Sequence, residues 1–401
     1  MVAYGDFVAL SQSGDSEARG QAAHLAAQAY LMHTGPADEH AALYAALIGF
    51  LGDPSVRVRA ALAYGLLHAP DAPRPVLLSL LQDSEVISRA VVQYSPALID
   101  ADLIGFVRKA DLALLGAVVL RERISARLAE AIIERSIRPV TLKILQRADV
   151  AVPPALLSRL AAQHGASDGA IRGALLDRDD LPAGSRLVLV EAAVAALRSA
   201  RIVKGAVAAP RLDRLLRDAM DSALTAIGEG EAVAGETPFA SDQVAAERIS
   251  ARVMLHAVVN GHVLFFADCI AALARTPRDK VFTLLESGSR QALHALLSRC
   301  GINEAVRNLL ARLIFHARAA DLADDVTARH FVVTALTEEL IVEHDGVIPP
   351  ELEDAFAYLS EQNVALARHA ARGVMSAFAD DANARAMPVL TADDRLALPA
   401  A

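Results

Sequence analysis

Apolar residues fall in short runs at helical spacing, each run introduced by a polar turn. In LGDPSVRVRAAL, residues 51–62, the Asp53-Pro54 turn leaves one helix and opens another, on which Val58, Leu62 and Leu66 share a face. Thirty residues on, LLQDSEVISRAVVQY repeats the device: Asp83 precedes Arg89 by six positions, as Asp53 precedes Arg59. Softer versions follow in SPALIDADLIGFVRKAD (95–111), RERISARLAEAIIERS (121–136), RADVAVPPALLSRLAA (147–162) and DRDDLPAGSRLVLVEAA (177–193). Their turns start about 25 to 30 residues apart, a period that belongs to two-helix repeats. Asp100, Asp149 and Asp180 fit helix N-caps, and Pro153 and Pro182 fit first turns, where a missing N–H costs nothing. The pattern predicts an all-α chain of stacked helix pairs, an α-solenoid.

Composition agrees with helices and not strands: Ala and Leu dominate, aromatic residues make up 4% and Trp is absent. A mean hydropathy of +0.33 prompts a search for a membrane span. The nearest candidate, residues 253–274, is interrupted by His256, Asn260, Gly261, His262 and Asp268. The N-terminal stretch lacks a basic start and a long apolar run, so a cytoplasmic protein without a secretory signal is expected. Cys269 and Cys300 lie in apolar helical stretches and form no CxxC, which predicts two reduced, buried thiols.

The phrase D-P-S-V-R-V-R-A-A-L-A-Y-G-L resembles the HEAT repeat, whose second helix begins with such an Asp-Pro turn and carries a Val-Arg pair. The resemblance implies bridges between Asp and Arg of neighbouring repeats, so Asp53, Arg59, Asp83 and Arg89 are expected to stack the repeats and not to catalyse. A break at IGEGEAVAGETPFASDQ, residues 227–243, has three glycines and no apolar periodicity, and is expected to be a flexible linker between a repeat domain (1–226) and a C-terminal helical domain (244–380). Within the second part, Asn260, Gly261, Phe265, Phe266, Ala272, Leu273, Ala274, Pro277, Gly288, Cys300 and Gly301 form a phrase that resembles the C-terminal half of a bacterial family of unknown function, described only as helical and HEAT-like. With the upstream SARLAEAIIERS-type phrases the resemblance covers roughly residues 5–320. It implies a fold and brings no chemistry. Two longer helices, about 321–344 and 350–380, should follow, and the Pro-, Ala- and Asp-rich residues 381–401 should be disordered.

Candidate chemistry is sparse, and no cofactor or metal is implied. His24, His33 and His40 with Asp38 and Glu39 are the densest ligand-like group, but HTGPADEH reads as a solvated helix break and no HExxH or CxxC is present. His256 and His262 straddle the Asn260-Gly261 break and read as buried histidines satisfied by backbone. Asp177, Asp179 and Asp180 precede a helix start, where capping accounts for them. The G-x-S-x-G pattern is absent, and ESGSRQ (286–291) has the look of a turn and cap.

Charge is uneven: residues 1–228 hold 24 basic and 24 acidic side chains, whereas 229–401 hold 15 and 24. From Arg108 to Arg147 there are nine Lys or Arg and four acids, so Arg121, Arg123, Arg127, Arg135, Arg138 and Lys143 form a candidate partner-binding stripe along a groove, or else decorate ordinary solvated faces. A non-enzymatic adaptor that binds a partner protein follows as the expectation. Nucleic-acid binding through a basic inner groove is the alternative, although this stretch lacks aromatic residues for stacking. Finally, NGHVLFFADCIAALA (260–274) is apolar on more than one face. It must be buried centrally or covered by another chain, in which case Phe265 and Phe266 would lie in a homodimer interface.

Overall fold

The computed structural model describes residues 4–235, 238–320 and 322–384, and all regular structure among them is helical. None of the described helices is long and apolar enough to cross a membrane. The chain divides into two compact units, Met1–Ala193 and Val194–Ala401. Position 226, where the boundary was expected, falls inside the second unit.

The first unit contains α1 (Tyr4–Ser11), α2 (Ser16–Met32), α3 (Ala37–Leu51), α4 (Val56–Leu66), α5 (Arg74–Leu80), α6 (Glu85–Tyr94), α7 (Asp100–Val107), α8 (Leu112–Val119), α9 (Ala126–Glu134), α10 (Arg138–Leu145), α11 (Pro154–His164), α12 (Gly169–Leu176) and most of α13 (Ala183–Ser199). Even-numbered helices form one row: α2 packs on α4, and α4, α6, α8, α10 and α12 follow one another. Odd-numbered helices touch along a second row, α3 with α5 and α7 with α9, and each of α3, α5, α7, α9 and α11 also packs against the even helix that follows it. The inward faces, among them Val58, Leu62 and Leu66 on α4 and Ile87, Val91 and Val92 on α6, join one continuous apolar core. The α2–α4 contact is close because small residues form it. Ala22, Ala23, Ala26 and Ala27 are fully buried, and a Cβ on Gly65 would stand 2.6 Å from that of Ala27.

Two arginine devices link successive pairs. In the first, Arg19 bonds the Asp53 carboxylate at 2.8 and 3.2 Å, Arg59 bonds Asp83 at 2.6 and 2.8 Å, Arg74 bonds Asp102 at 2.8 and 2.5 Å, and Arg138 bonds Asp168. Asp53, Arg59 and Asp83 do take part in long-range Arg–Asp bridges, as expected. Arg89 is a correction: it is exposed and among the described residues meets only Glu85, one helical turn back, at 3.7 Å.

In the second device the acceptors are backbone carbonyls. Arg121, two residues past α8, donates to Val92 O and to Ser95 O (2.8 Å) at the end of α6. Arg135, just past α9, donates to Val107 O (2.7 Å), Arg108 O and Ala110 O at the end of α7. Arg147, past α10, does the same for α8 through Val119 O and Arg121 O, and Arg178, past α12, for α10 through Leu145 O and Val150 O. In every case an arginine beyond helix n+2 satisfies the carbonyls left open at the end of helix n, where the dipole is also negative. Asp149 and Asp180 cap no helix; they hold Arg147 (2.5 Å) and Arg178 (2.6 Å) in position. Asp100 is the first residue of α7, after the N-cap Ile99.

The second unit contains α14 (Arg201–Ala206), α15 (Ala209–Ala234), α16 (Pro238–Ala245), α17 (Ala251–Val259), α18 (Val263–Ala274), α19 (Arg278–Ser287), α20 (Arg290–Ser298), α21 (Glu304–Ala319), α22 (Val326–Glu343), a 3-10 turn at Pro350–Leu352 and α23 (Glu353–Ala384). The expected long helices are α22 and α23. The latter takes in 381–384, and the rest of the expected disordered tail lies outside the described residues.

The expected linker is largely helix: α15 runs to Ala234 and ends on the left-handed Gly235 (φ 84°). Gly228 is in that helix for contact, because a Cβ there would stand 2.1 Å from the Phe265 ring. Helix α18 packs against α15, α16, α17, α19 and α20, so Phe265 and Phe266 are each only 1% exposed within a single chain. They are core residues, the first of the two alternatives for this helix, and do not lie at a surface. Gly261 adopts φ 77° at the α17–α18 break, where Ala323 would lie 2.5 Å from an added Cβ.

Gly228→Ala should therefore destabilise the second unit, because the buried Phe265 ring has nowhere to move. Gly230→Ala, in open space on the same helix, should stabilise it by about 0.5–1 kcal/mol through helix propensity. Denaturant midpoints of the two variants check the opposite signs.

Candidate functional site

The first unit exposes an aromatic row on its even helices. Tyr64, near the end of α4, is 69% exposed and stacks on His24 of α2, ring centroids 5.7 Å apart. Tyr94, the last residue of α6, is 50% exposed and meets His68, one turn beyond Tyr64, edge-on at 5.6 Å. The order His24, Tyr64, His68, Tyr94 thus crosses three neighbouring members of the even row, α2, α4 and α6. Tyr64 and Tyr94 are thirty positions apart, the same offset as Asp53 and Asp83, so each helix presents its tyrosine from an equivalent place. Both rings are held by a histidine neighbour and neither is inserted into the core.

Of the six cations expected to form a stripe, Arg121 and Arg135 are consumed as helix caps and Arg138 by Asp168. Arg121 is buried, and that burial pulls its guanidinium below the usual range. Arg123, Arg127 and Lys143 remain exposed without a partner among the described residues, but they stand on a turn, an odd-row helix and an even-row helix. The structure does not bring the six together.

The expected histidine groups resolve differently. His40 lies against both Tyr30 and His33 around the α2–α3 turn, and no group of three or more His, Cys, Asp or Glu among the described residues could hold a metal ion. His256 is satisfied by side chains and not by backbone: its Nε2 lies 3.1 Å from Ser222 Oγ on α15 and its Nδ1 lies 3.2 Å from the Tyr358 hydroxyl on α23. Beside it Arg252 bonds Asp218, Asp221 (2.7 Å) and Glu361 (3.3 Å) and stacks over the Tyr358 ring. This network ties α15, α17 and α23 together. Burial raises the carboxyls of Asp218 and Asp221 despite Arg252, and lowers His256 to about 4. Cys269 is buried and Cys300 half-buried, and burial lifts both thiols, Cys300 to about 11, which suppresses thiolate chemistry. Two clefts stand out, one of about 490 Å³ around Arg138, Arg159 and His164, and an apolar one of about 380 Å³ between α17, α18, α19 and α21.

Residues 87–344 match a family described as an uncharacterised protein conserved in bacteria (DUF2336). The chain belongs to this family. The match covers well over half of the chain, begins within α6 and contains the whole apolar cleft, whereas His24, Tyr64 and His68 precede it. No curated protein and no solved structure matches the chain. The resemblance in the Asn260–Gly301 phrase is thus confirmed at family level.

The His256 network makes a pH prediction. The folded imidazole stays neutral down to about pH 4, whereas the unfolded one takes up a proton near its ordinary 6.5. Its contribution is complete above pH 6.5 and is lost as pH falls from there towards 4. The raised carboxyls of Asp218 and Asp221 act in the opposite sense, so the imidazole is isolated by difference. Between pH 7.5 and 4.5 the wild type should lose roughly 1–3 kcal/mol more than His256→Gln, measured by denaturant unfolding.

Proposed function

We propose that this protein is a non-enzymatic, cytoplasmic, HEAT-like α-solenoid that binds a partner protein as an adaptor or regulatory scaffold, and that the partner meets the His24–Tyr64–His68–Tyr94 row. Two parallel rows of helices, linked from repeat to repeat by Arg–Asp pairs, support the solenoid reading. The observation that carries the binding reading is the pair of exposed tyrosines at equivalent places on α4 and α6, neighbours in the even row. Exposed tyrosine offers large contact area at low entropic cost, and such rings dominate binding energy at protein interfaces. Val56 and Val86, 44% and 74% exposed on the same two helices, add apolar surface.

Nucleic acid is the weaker reading. Aromatic rings can stack on bases, but the first unit carries 18 Lys and Arg against 21 Asp and Glu, and many of its arginines are committed to carboxylates or helix ends. A groove that grips phosphates needs free cations.

A photo-crosslinking residue placed at Tyr94 in the bacterial host should capture one protein reproducibly, while the same residue at Ala162, exposed on the odd row, should not. Tyr64→Ser should reduce the capture at least fivefold with the melting temperature unchanged. Capture of nucleic acid alone, or equal capture from both positions, contradicts the proposal.

A further inference from the structure

Helix α18 is covered on most sides, but one flank borders an open cleft of about 380 Å³. Its floor is Val258, Phe266, Leu285 and Ile314, all buried, and Leu264 and Phe282 form half-buried walls. The volume falls in the range of small-ligand sites, about 300–1,000 Å³, and the lining is apolar as such sites are.

Charge at the mouth selects the occupant. Two charged side chains line the cleft, Arg318 and Glu286. The Arg318 guanidinium is turned to the scaffold: Nε donates to Leu285 O (2.6 Å), Nη1 to Gly288 O (2.9 Å) and Nη2 to Leu284 O (2.8 Å), and it stacks on Phe315. It caps the end of α19 as Arg121 caps α6, with three of its five N–H donors committed to those carbonyls. Glu286 is exposed and has no partner among the described residues. The other arginines of the lining helices are also engaged: Arg252 with its three carboxylates, Arg278 with Asp268 (2.7 Å), Arg312 with Glu343 (2.6 Å) and Arg307 with Ile302 O (3.0 Å). The whole unit carries 21 Lys and Arg against 27 Asp and Glu, so its far field also favours a cation.

We infer that this cleft docks a basic amphipathic helical segment of a partner protein, with one large apolar side chain on the Phe266 floor and a lysine or arginine against Glu286. An apolar anchor with a flanking cation is how a helix-in-groove contact meets such a surface. The inference is independent of the aromatic row on the first unit, and its test uses neither crosslinking nor that row.

The probe is a fluorescein-labelled synthetic helix of about 18 residues with leucines along one face and lysines on the other, compared with the same peptide carrying glutamates for lysines. The full-length protein should bind the lysine peptide at least tenfold more tightly by fluorescence anisotropy. Glu286→Lys, at an exposed position that leaves the fold intact, should weaken it at least fivefold, and Ala317→Phe, which fills the cleft from its wall, should abolish binding. An unchanged melting temperature certifies each variant, and Glu286→Lys alone decides the matter if Ala317→Phe unfolds. Lysine-peptide affinity indifferent to Glu286→Lys, equal binding of the glutamate peptide, or no binding of either overturns the inference. So does binding to phosphatidylglycerol vesicles that Ala317→Phe removes, which would make the occupant a membrane.

Discussion

An arginine just past the end of one helix, reaching back to the open carbonyls of the helix two places earlier, is the contact on which the first unit depends. Its helices are short, α7, α8, α10 and α12 having eight residues each. Helices of that length are marginal in isolation, because a costly nucleus is repaid by few internal hydrogen bonds. They also end inside the stack, where unsatisfied carbonyls would be expensive. Arg121, Arg135, Arg147 and Arg178 each satisfy two or three of those carbonyls and place a positive charge at the negative end of a dipole. The apolar core supplies the bulk of the burial energy. The arginines fix the offset of one helix on the next, because each must find a particular helix end.

This constraint shapes the surface. A stretch with nine basic residues from Arg108 to Arg147 has few free cations to offer a partner, since Arg121, Arg135, Arg138 and Arg147 are turned to the scaffold. What the even row does present is Tyr64 and Tyr94 with their histidine neighbours. In the second unit Arg318 repeats the capping device, and its engagement leaves Glu286 as the unengaged charge at the apolar cleft. In both units, where arginine is spent decides which chemistry remains exposed.

The helices were legible in the sequence because they rest on local signals. Helical spacing of Val58, Leu62 and Leu66 and the recurring Asp-to-Arg interval pointed correctly to an all-helical chain with long-range Arg–Asp pairs. Spacing cannot say which neighbour a side chain reaches, so Asp53 pairs with Arg19 and Arg89 is left on the surface. Arg121 and Arg135 looked like surface charge because their acceptors are carbonyls, which carry no residue identity. The glycines at 227–243 suggested a linker since local propensity argues that way; Gly228 is helical because Phe265, 37 positions later, needs its space. The apolar character of 260–274 did foretell burial on several faces, and the structure supplies the neighbours from within the chain. Tyr64 and Tyr94 were readable by the same thirty-residue offset as Asp53 and Asp83. Their exposure was not, because nothing local distinguishes an outward tyrosine from a core one.

The most direct test of the central claim is a denaturant titration of single arginine and lysine substitutions across the first unit. Arg121→Met, Arg147→Met and Arg178→Met keep the apolar stem and remove the donors, and each should cost about 1–3 kcal/mol. Arg123→Met, Arg127→Met and Lys143→Met, which lose no partner, should each stay within roughly 0.5 kcal/mol of the wild type. Equal, small effects in both sets would contradict the account, and so would larger losses in the second.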